Sequence, residues 1–176
     1  MSSSNYPSNS QNFFQYLTSY ELPGSFDVII VGWKLKTPEN IGGLIRLASN
    51  LGISKVILVL EEDIHKRQTK IDKVSRSAAK YVHVEPISEN DLKQFIPTDY
   101  KWIALETHPD SKNIYLTDLP DKMTLFIGNE ITGLPDKIIE SVEKCVHIPM
   151  PGPIPSMNVV QAASVALFEW YRGKVF

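Results

Sequence analysis

Two loops in the carboxyl-terminal half of the sequence place glycine and polar side chains directly after an apolar run. Residues 123–127 form a short run of strand-forming residues that ends at Gly128-Asn129-Glu130. Residues 145–148 form a second run, which is followed by four prolines between positions 149 and 155. Glycine lets the backbone approach a ligand closely, whereas proline stiffens a loop and removes backbone donors. Either loop alone would be ordinary for an α/β protein, but together they predict one shared ligand.

A third candidate segment is a predicted helix from Asn40 to about Asn50. Its apolar side chains recur at helical spacing, and Gly43, Arg46 and Asn50 form a second stripe of small, cationic and polar residues. Two consecutive glycines, Gly42 and Gly43, cost about 1 kcal/mol each relative to alanine, which indicates a packing or ligand requirement. Asn40 suits a helix N-cap, and Arg46 is equally compatible with an ordinary surface arginine.

These segments belong to an alternation of strands and helices. Unbroken apolar runs at 28–31 and 55–60 are typical of strands that a parallel sheet buries on both faces. Further strands are predicted at 82–84, 102–105, 123–127 and 145–148, with helices at 90–96, at 135–142 and after a cap at Ser156 or Asn158. The pattern predicts an α/β fold with a mostly parallel sheet and helices on both faces. Ligands of such sheets bind beyond the carboxyl ends of the strands.

Length and charge limit the class of protein. The 176 residues, 43% of them hydrophobic, are enough for one domain with a buried core. We expect this domain at residues 26–176, after an extension at residues 1–25 that is partly disordered or forms a short helix. The net charge of −2 gives no overall basic field, so a nucleic-acid partner would be held by a local patch or by several subunits.

The cysteine content and the amino terminus bear on the cellular compartment. The single cysteine, Cys145, lies inside an apolar run, which favours a buried core side chain in a reducing compartment. No apolar segment approaches the length of a membrane span, and residues 1–12 lack the features of a signal peptide. We therefore expect a cytoplasmic protein with no membrane partner.

Several common sites are missing from the sequence. The Gly42-Gly43 pair lies inside a predicted helix and not in a G-x-G-x-x-G turn, and no P-loop is found, so dinucleotide and nucleoside triphosphate sites are unsupported. No G-x-S-x-G elbow surrounds any serine. The four histidines are scattered without metal-ligand spacing, and we expect no metal.

Three ordered motifs carry a resemblance to a known family. They read Asn40-Ile41-Gly42-x-x-x-Arg46-x-Ala48, then Gly128-Asn129-Glu130-x-x-Gly133-Leu134, then Ile148-Pro149-Met150-x-Gly152-x-x-x-Ser156-Met157-Asn158. Over about residues 27 to 172 the chain resembles the SpoU/TrmH branch of the SPOUT RNA 2′-O-methyltransferases. The resemblance implies a carboxyl-terminal deep trefoil knot, S-adenosyl-L-methionine as methyl donor, and a homodimer with composite active sites.

The resemblance also assigns roles to particular residues. The cofactor-binding residues would be Leu105, Gly128, Ile148, Pro149, Met150 and Ser156. The catalytic residues would be Arg46, supplied by the other subunit, with Asn40, Glu130, Ser156 and Asn158. Because a guanidinium is almost always protonated, we expect Arg46 to clamp a phosphate and stabilise the developing alkoxide, with a deprotonated arginine as the alternative. Glu130 would orient Arg46 or Asn40.

The substrate implied by the resemblance is RNA, with tRNA favoured over rRNA because the chain is similar in size to the minimal tRNA-modifying members. One basic run would contact phosphates: Lys66, Arg67, Lys70, Lys73, Arg76 and Lys80. A solvated charged face explains this run equally well. Ala78-Ala79 stand where the family often has glycine. Two alternatives remain: a catalytically idle RNA-binding relative, and a small-molecule enzyme on an α/β sheet.

Overall fold

The computed structural model of the protein describes residues 26–61 and 80–175. In this part of the chain the strands are β1 (Val28–Trp33), β2 (Lys55–Val59), β3 (His83–Ile87), β4 (Lys101–Leu105), β5 (Lys112–Asn113), β6 (Met123–Ile127) and β7 (Lys144–His147). The helices are α1 (Pro38–Asn50), α2 (Leu92–Phe95), α3 (Asp136–Ile139) and α4 (Val159–Val175). Short 3₁₀ turns occupy Glu89–Asp91 and Ile114–Leu116. The predicted extension at residues 1–25 lies outside the described residues.

The strands form one sheet in the order β3-β2-β1-β6-β4-β7-β5, and every adjacent pair is parallel. This arrangement confirms the predicted parallel sheet. Strand β5 was not predicted, because two residues are too few to show a periodic pattern. The order places β4 between β6 and β7, so the loops that follow these three strands meet at one edge of the sheet.

Helices cover both faces of the sheet, as predicted. On one face, α1 and α4 pack on the sheet through residues such as Leu44 and Ala166. On the other face, α2 and α3 contribute Leu92 and Ile138 to a second apolar cluster. A Cβ atom at Gly43 would lie 2.8 Å from a methyl carbon of Val160, so the small residue lets α4 approach α1 closely. None of the helices in the described part of the chain is long and apolar enough to cross a membrane.

Helix α1 begins earlier than the sequence suggested. Thr37 occupies the N-cap position with an extended backbone, and Pro38 is the first helical residue. Proline suits this position because its fixed φ matches the helix and its missing N–H would have no partner there. The predicted N-cap role of Asn40 is therefore wrong. As the third residue of the helix, Asn40 has its side chain available for contacts outside α1.

Thr124, the second residue of β6, gives a test of the core. The residue is fully buried, and its hydroxyl has no hydrogen-bond partner among the described residues. Because a buried unpaired hydroxyl is costly, Thr124→Val should raise the free energy of unfolding by about 1 kcal/mol, measured by chemical denaturation. The control is Thr117→Val, which removes a hydroxyl that donates to Asn113 O at 2.7 Å and should lower stability. A loss of stability in Thr124→Val would mean that the hydroxyl is paired.

Candidate functional site

A cleft of about 350 Å³ lies at the carboxyl ends of β4, β6 and β7, where the first residues of α4 close it. Its volume falls within the range of about 300–1,000 Å³ that is typical of small-molecule sites. The residues that line it are Leu105, Glu106, Thr107, Ile127, Gly128, Asn129, Glu130, Ile131, Gly133, His147, Ile148, Met150, Pro155, Ser156, Met157, Val159 and Ala162. The two loops that the sequence predicted to share a ligand both contribute to this cleft.

The loop after β6 is held in shape by Asn129, which is buried. Its side-chain nitrogen donates to Lys34 O at 2.5 Å, and its side-chain oxygen accepts from the backbone N–H of Ile131 at 2.9 Å and of Thr132 at 3.3 Å. The backbone of Asn129 also pairs in both directions with Gly133. One amide side chain thus closes the loop on itself and fastens it to the chain that leaves β1.

Two glycines in the same loop leave no room for a side chain. A Cβ atom at Gly128 would lie 2.4 Å from the carbonyl carbon of Gly133 and 2.6 Å from Leu134 N. Gly133 has φ +66°, and a Cβ atom there would lie 2.5 Å from a carboxylate oxygen of Glu106. A side chain at Gly128 would displace the backbone that forms the cleft wall, whereas one at Gly133 would be strained by the positive φ and would push against the Glu106 carboxylate.

Glu130 reaches from this loop to the start of α1. Its carboxylate accepts hydrogen bonds from Lys36 N at 3.0 Å, from Thr37 N at 3.1 Å, from Thr37 Oγ1 at 2.9 Å and from Asn40 Nδ2 at 2.7 Å. Burial raises the pKa of Glu130, but the hydrogen bonds from Lys36, Asn40 and Thr37 outweigh it and lower the pKa to about 2. The positive end of the α1 dipole also favours an anion at this position.

Asn40 and Asn158 extend this network to the last helix. Asn158 Nδ2 donates to Asn40 Oδ1 at 2.9 Å, while Asn158 Oδ1 accepts from Val160 N at 2.9 Å and caps α4. Of the two predicted caps for this helix, the structure uses Asn158 and not Ser156. Of the two predicted partners of Glu130, it shows Asn40. The chain Glu130–Asn40–Asn158 therefore joins the loop after β6, helix α1 and helix α4.

The pKa of Glu130 predicts a pH dependence of stability. Because the folded-state pKa is about 2 and the ordinary value is 4.5, ionised Glu130 stabilises the fold above pH 4.5 and this contribution is lost as the pH falls toward 2. Allowing for solvent screening, we expect wild type to exceed Glu130→Gln by about 1–2 kcal/mol in unfolding free energy at pH 6. The difference, measured by denaturant titration, should shrink toward pH 2. A difference that is constant with pH would contradict this assignment.

The charges around the cleft are of one sign. Glu106 and Glu130 both line it, and its lining in the described residues includes neither lysine nor arginine. The remaining wall is largely apolar. Such a cleft suits a ligand with an apolar body and a positive charge, and it does not suit a phosphate group, which needs cationic or N–H donors.

The structure brings most of the predicted cofactor-binding residues together. Leu105, Gly128, Ile148, Met150 and Ser156 all line the cleft, whereas Pro149 lies between two of them in the chain and is not part of the lining. Their role as cofactor contacts remains a prediction. The predicted catalytic set is divided: Glu130 and Ser156 line the cleft, and Asn40 and Asn158 are linked to it through Glu130.

Arg46 stands apart from the cleft of its own chain. It is exposed on α1, and its side chain makes no hydrogen bond or ion pair with any of residues 26–61 and 80–175. Of the predicted RNA-binding residues, Lys80 is exposed in the turn before β3. The other five, Lys66, Arg67, Lys70, Lys73 and Arg76, lie outside the described residues.

Sequence reasoning missed Glu106, which is the first residue after β4. A lone glutamate after a strand gives no pattern, and its importance becomes visible only through its contacts with the loop after β6.

Cys145 is buried, as predicted, and burial together with the charge of Glu106 raises the pKa of its thiol to about 11. It is therefore a protonated core side chain. No group of three potential metal ligands occurs among the described residues.

Comparisons with known proteins identify the family of this chain. Residues 27–168 match the SpoU rRNA Methylase family. The chain is 31% identical over 140 residues to the 23S rRNA (guanosine-2′-O-)-methyltransferase RlmB of Xylella fastidiosa, covering 78% of this chain and 55% of that protein. It is 26% identical over 149 residues to the mouse tRNA (guanosine(18)-2′-O)-methyltransferase TARBP1, covering 82% of this chain but 9% of that protein. The chain thus spans about half or less of the length of these relatives.

Solved structures show the same fold. The A. aeolicus TrmH/SpoU tRNA modifying enzyme superposes with a TM-score of 0.74 at 24% identity, over 85% of this chain and 76% of that one. A structure described as giving insights into the 2-OH methylation of C/U34 on tRNA superposes with a TM-score of 0.71 at 24% identity, over 82% of this chain and 94% of that one. The family match covers most of the chain and includes all three sequence motifs, and the protein is therefore a member of the SpoU methylase family.

Proposed function

We propose that this protein transfers a methyl group from S-adenosylmethionine to a ribose 2′-hydroxyl of RNA. The observation that carries the proposal is the acidic and apolar cleft, which lies where the family motifs converge. Relatives in the family are named as guanosine 2′-O-methyltransferases that act on tRNA or rRNA. The function extends to this chain through family membership and through the chemistry of the cleft.

The cleft residues fit the methyl donor. Leu105, Ile127, Ile148 and Met150 offer an apolar wall for an adenosyl group, and Glu106 and Glu130 offer negative charge for a cation. When bound, S-adenosylmethionine supplies an electrophilic methyl group on a positively charged sulfur. The closely packed backbone at Gly128 and Gly133 would form the wall against which it lies.

The chain itself would contribute to catalysis by holding the cofactor and the ribose hydroxyl in position. A rigid arrangement of cofactor and hydroxyl supplies much of the rate of such a transfer. The Glu130–Asn40–Asn158 network fixes the amino end of α1 relative to the cleft. Arg46, two turns further along α1, would hold an RNA phosphate and stabilise the alkoxide that develops at the attacking oxygen.

We propose further that two copies of the chain form a homodimer in which Arg46 completes the site of the partner. The support is that Arg46 is exposed and lies outside the lining of its own cleft.

An experiment that mixes two different inactive variants of the chain tests this proposal directly. Arg46→Ala subunits and Gly128→Ala subunits, inactive alone, should recover about one quarter of wild-type activity after random reassociation, because half of the dimers then contain one intact site. No recovery would place Arg46 in the site of its own chain.

The topology also supports the proposed trefoil knot. Strand β7 is the last strand in the described chain, yet it lies between β4 and β5, which both precede it. Insertion of a late strand between earlier ones is the arrangement that threading would produce. An experimental chain trace of residues 123–175 would test the knot.

For the substrate, we propose tRNA in preference to rRNA, in the cytoplasm. The structure concerned with C/U34 of tRNA is matched over 94% of its length. The buried single cysteine suits a reducing compartment.

The test supplies radiolabelled S-adenosylmethionine with purified tRNA or rRNA, followed by mass spectrometry of 2′-O-methylated nucleotides. Label in rRNA alone would reverse the preference. RNA binding without label in either would favour an idle relative, and indifference to RNA would favour a small-molecule enzyme.

A further inference from the structure

We propose that Glu106 is a specificity-determining residue, which makes the cleft favour the cationic methyl donor over the neutral product left after transfer. The inference rests on the proposed function and goes further, because none of the three motifs includes this residue. S-adenosylmethionine carries one more positive charge than S-adenosylhomocysteine, and the two molecules otherwise differ by one methyl group. Charge is therefore the main property by which the cleft can distinguish them.

The position of the Glu106 carboxylate is fixed by backbone contacts. One oxygen accepts a hydrogen bond from Thr107 N at 2.9 Å, and the other accepts from Leu134 N at 2.8 Å. The backbone N–H of Glu106 continues the sheet by donating to Val146 O at 3.0 Å. The carboxylate also lies against Gly133, where a Cβ atom would contact it. A side chain held at both oxygens presents its charge at a defined place in the cleft wall.

No cation in the described part of the chain neutralises this charge. Glu106 forms no ion pair with a lysine, arginine or histidine among the described residues, and its two donors are neutral backbone amides. Glu130, the other carboxylate in the lining, differs because its oxygens accept four hydrogen bonds at the positive end of α1. Of the two carboxylates, Glu106 therefore retains more of its field for a ligand in the cleft.

The expected size of the effect follows from Coulomb's law. A charge several ångströms away at the effective dielectric of a partly open protein site contributes on the order of 1 kcal/mol, which corresponds to about a five-fold change in Kd. The effect should act on the sulfonium and leave the neutral thioether almost unchanged. Selectivity of this kind favours replacement of the bound product by a new methyl donor after each transfer.

The test compares three ligands by isothermal titration calorimetry on the 176-residue chain. Glu106→Gln should raise the Kd of S-adenosylmethionine by about five-fold and that of S-adenosylhomocysteine by less than two-fold. Sinefungin, which carries an ammonium group in place of the sulfonium, should follow S-adenosylmethionine. The matched control is Glu140→Gln, which changes the net charge equally at an exposed position outside the cleft lining and should leave all three values unchanged.

A second variant separates charge from structure. Glu106→Asp keeps the charge but shortens the side chain, so it should keep the wild-type ratio of the two Kd values even where both become weaker. If Glu106→Gln weakens both ligands by the same factor, or neither, the carboxylate is a structural clamp and the proposal is overturned. If the wild-type protein binds no adenosyl ligand at all, it is the proposed function that fails.

Discussion

Replacing Arg46 by alanine is expected to lower the rate of RNA methylation by about 10²–10³-fold, which is the typical cost of losing one group that stabilises transition-state charge. The protein should remain folded, because the Arg46 side chain is exposed and makes no hydrogen bond or ion pair within the described residues. Substitutions at such positions usually change stability by less than about 0.5 kcal/mol. Cofactor binding should also persist, since Arg46 does not line the cleft.

Single-turnover methyl transfer to RNA measures the chemical step, and calorimetry with S-adenosylmethionine measures the cofactor site. The matched control is Arg172→Ala, which removes an exposed arginine of α4 that pairs with Glu169 in its own helix. That variant should transfer methyl groups at the wild-type rate. Arg46→Lys keeps the charge but loses the planar fork and should recover activity only in part. Transfer by Arg46→Ala at the wild-type rate would remove Arg46 from the mechanism.

Gly128→Ala is expected to abolish cofactor binding and to lower stability by about 1–3 kcal/mol, the usual cost of overpacking. The added Cβ atom would lie 2.4 Å and 2.6 Å from backbone atoms of Gly133 and Leu134, which cannot turn aside as a flexible side chain would. The loop after β6 must then move, and with it the wall of the cleft. Calorimetry and denaturant unfolding measure the two effects separately.

Gly173→Ala provides the control for Gly128→Ala. Gly173 is an exposed residue of α4, and a Cβ atom there would meet nothing within 4 Å. Alanine is the better helix former by about 1 kcal/mol, so this variant should bind cofactor normally and be as stable as wild type or more stable. Normal cofactor affinity in Gly128→Ala would show that the tight packing of this loop is not required for the site.

The sequence was informative where a periodic pattern reflects burial. The apolar runs at β1 and β2 indicated strands buried on both faces, and both were located to within a residue or two. The glycine and proline loops after β6 and β7 were correctly expected to face one site. In each case the feature is determined by residues that are adjacent in the chain, and it can therefore be predicted from a short stretch of sequence.

Contacts between residues that are far apart in the chain could not be predicted from periodicity or residue type. The residue type of Asn40 suggested a helix cap, but Pro38 starts the helix, and the pairing of Asn40 with Glu130, which is 90 residues away, was expected only from the family resemblance. Glu106 was missed because its two backbone partners include Leu134, which is 28 residues distant. Such roles depend on which loops the sheet order brings together.

The position of β6 has a consequence for how the protein acquires its structure. Strands β1 and β4 both precede β6 in the chain, yet β6 separates them in the sheet. Two early segments must therefore remain unpaired with each other until residues 123–127 enter between them. Parallel pairing of distant segments is slow, and unpaired strand edges attract other chains. The yield of native protein after dilution from denaturant should consequently decline as the protein concentration rises. The strand insertion that assembles the cleft therefore also exposes the refolding chain to self-association.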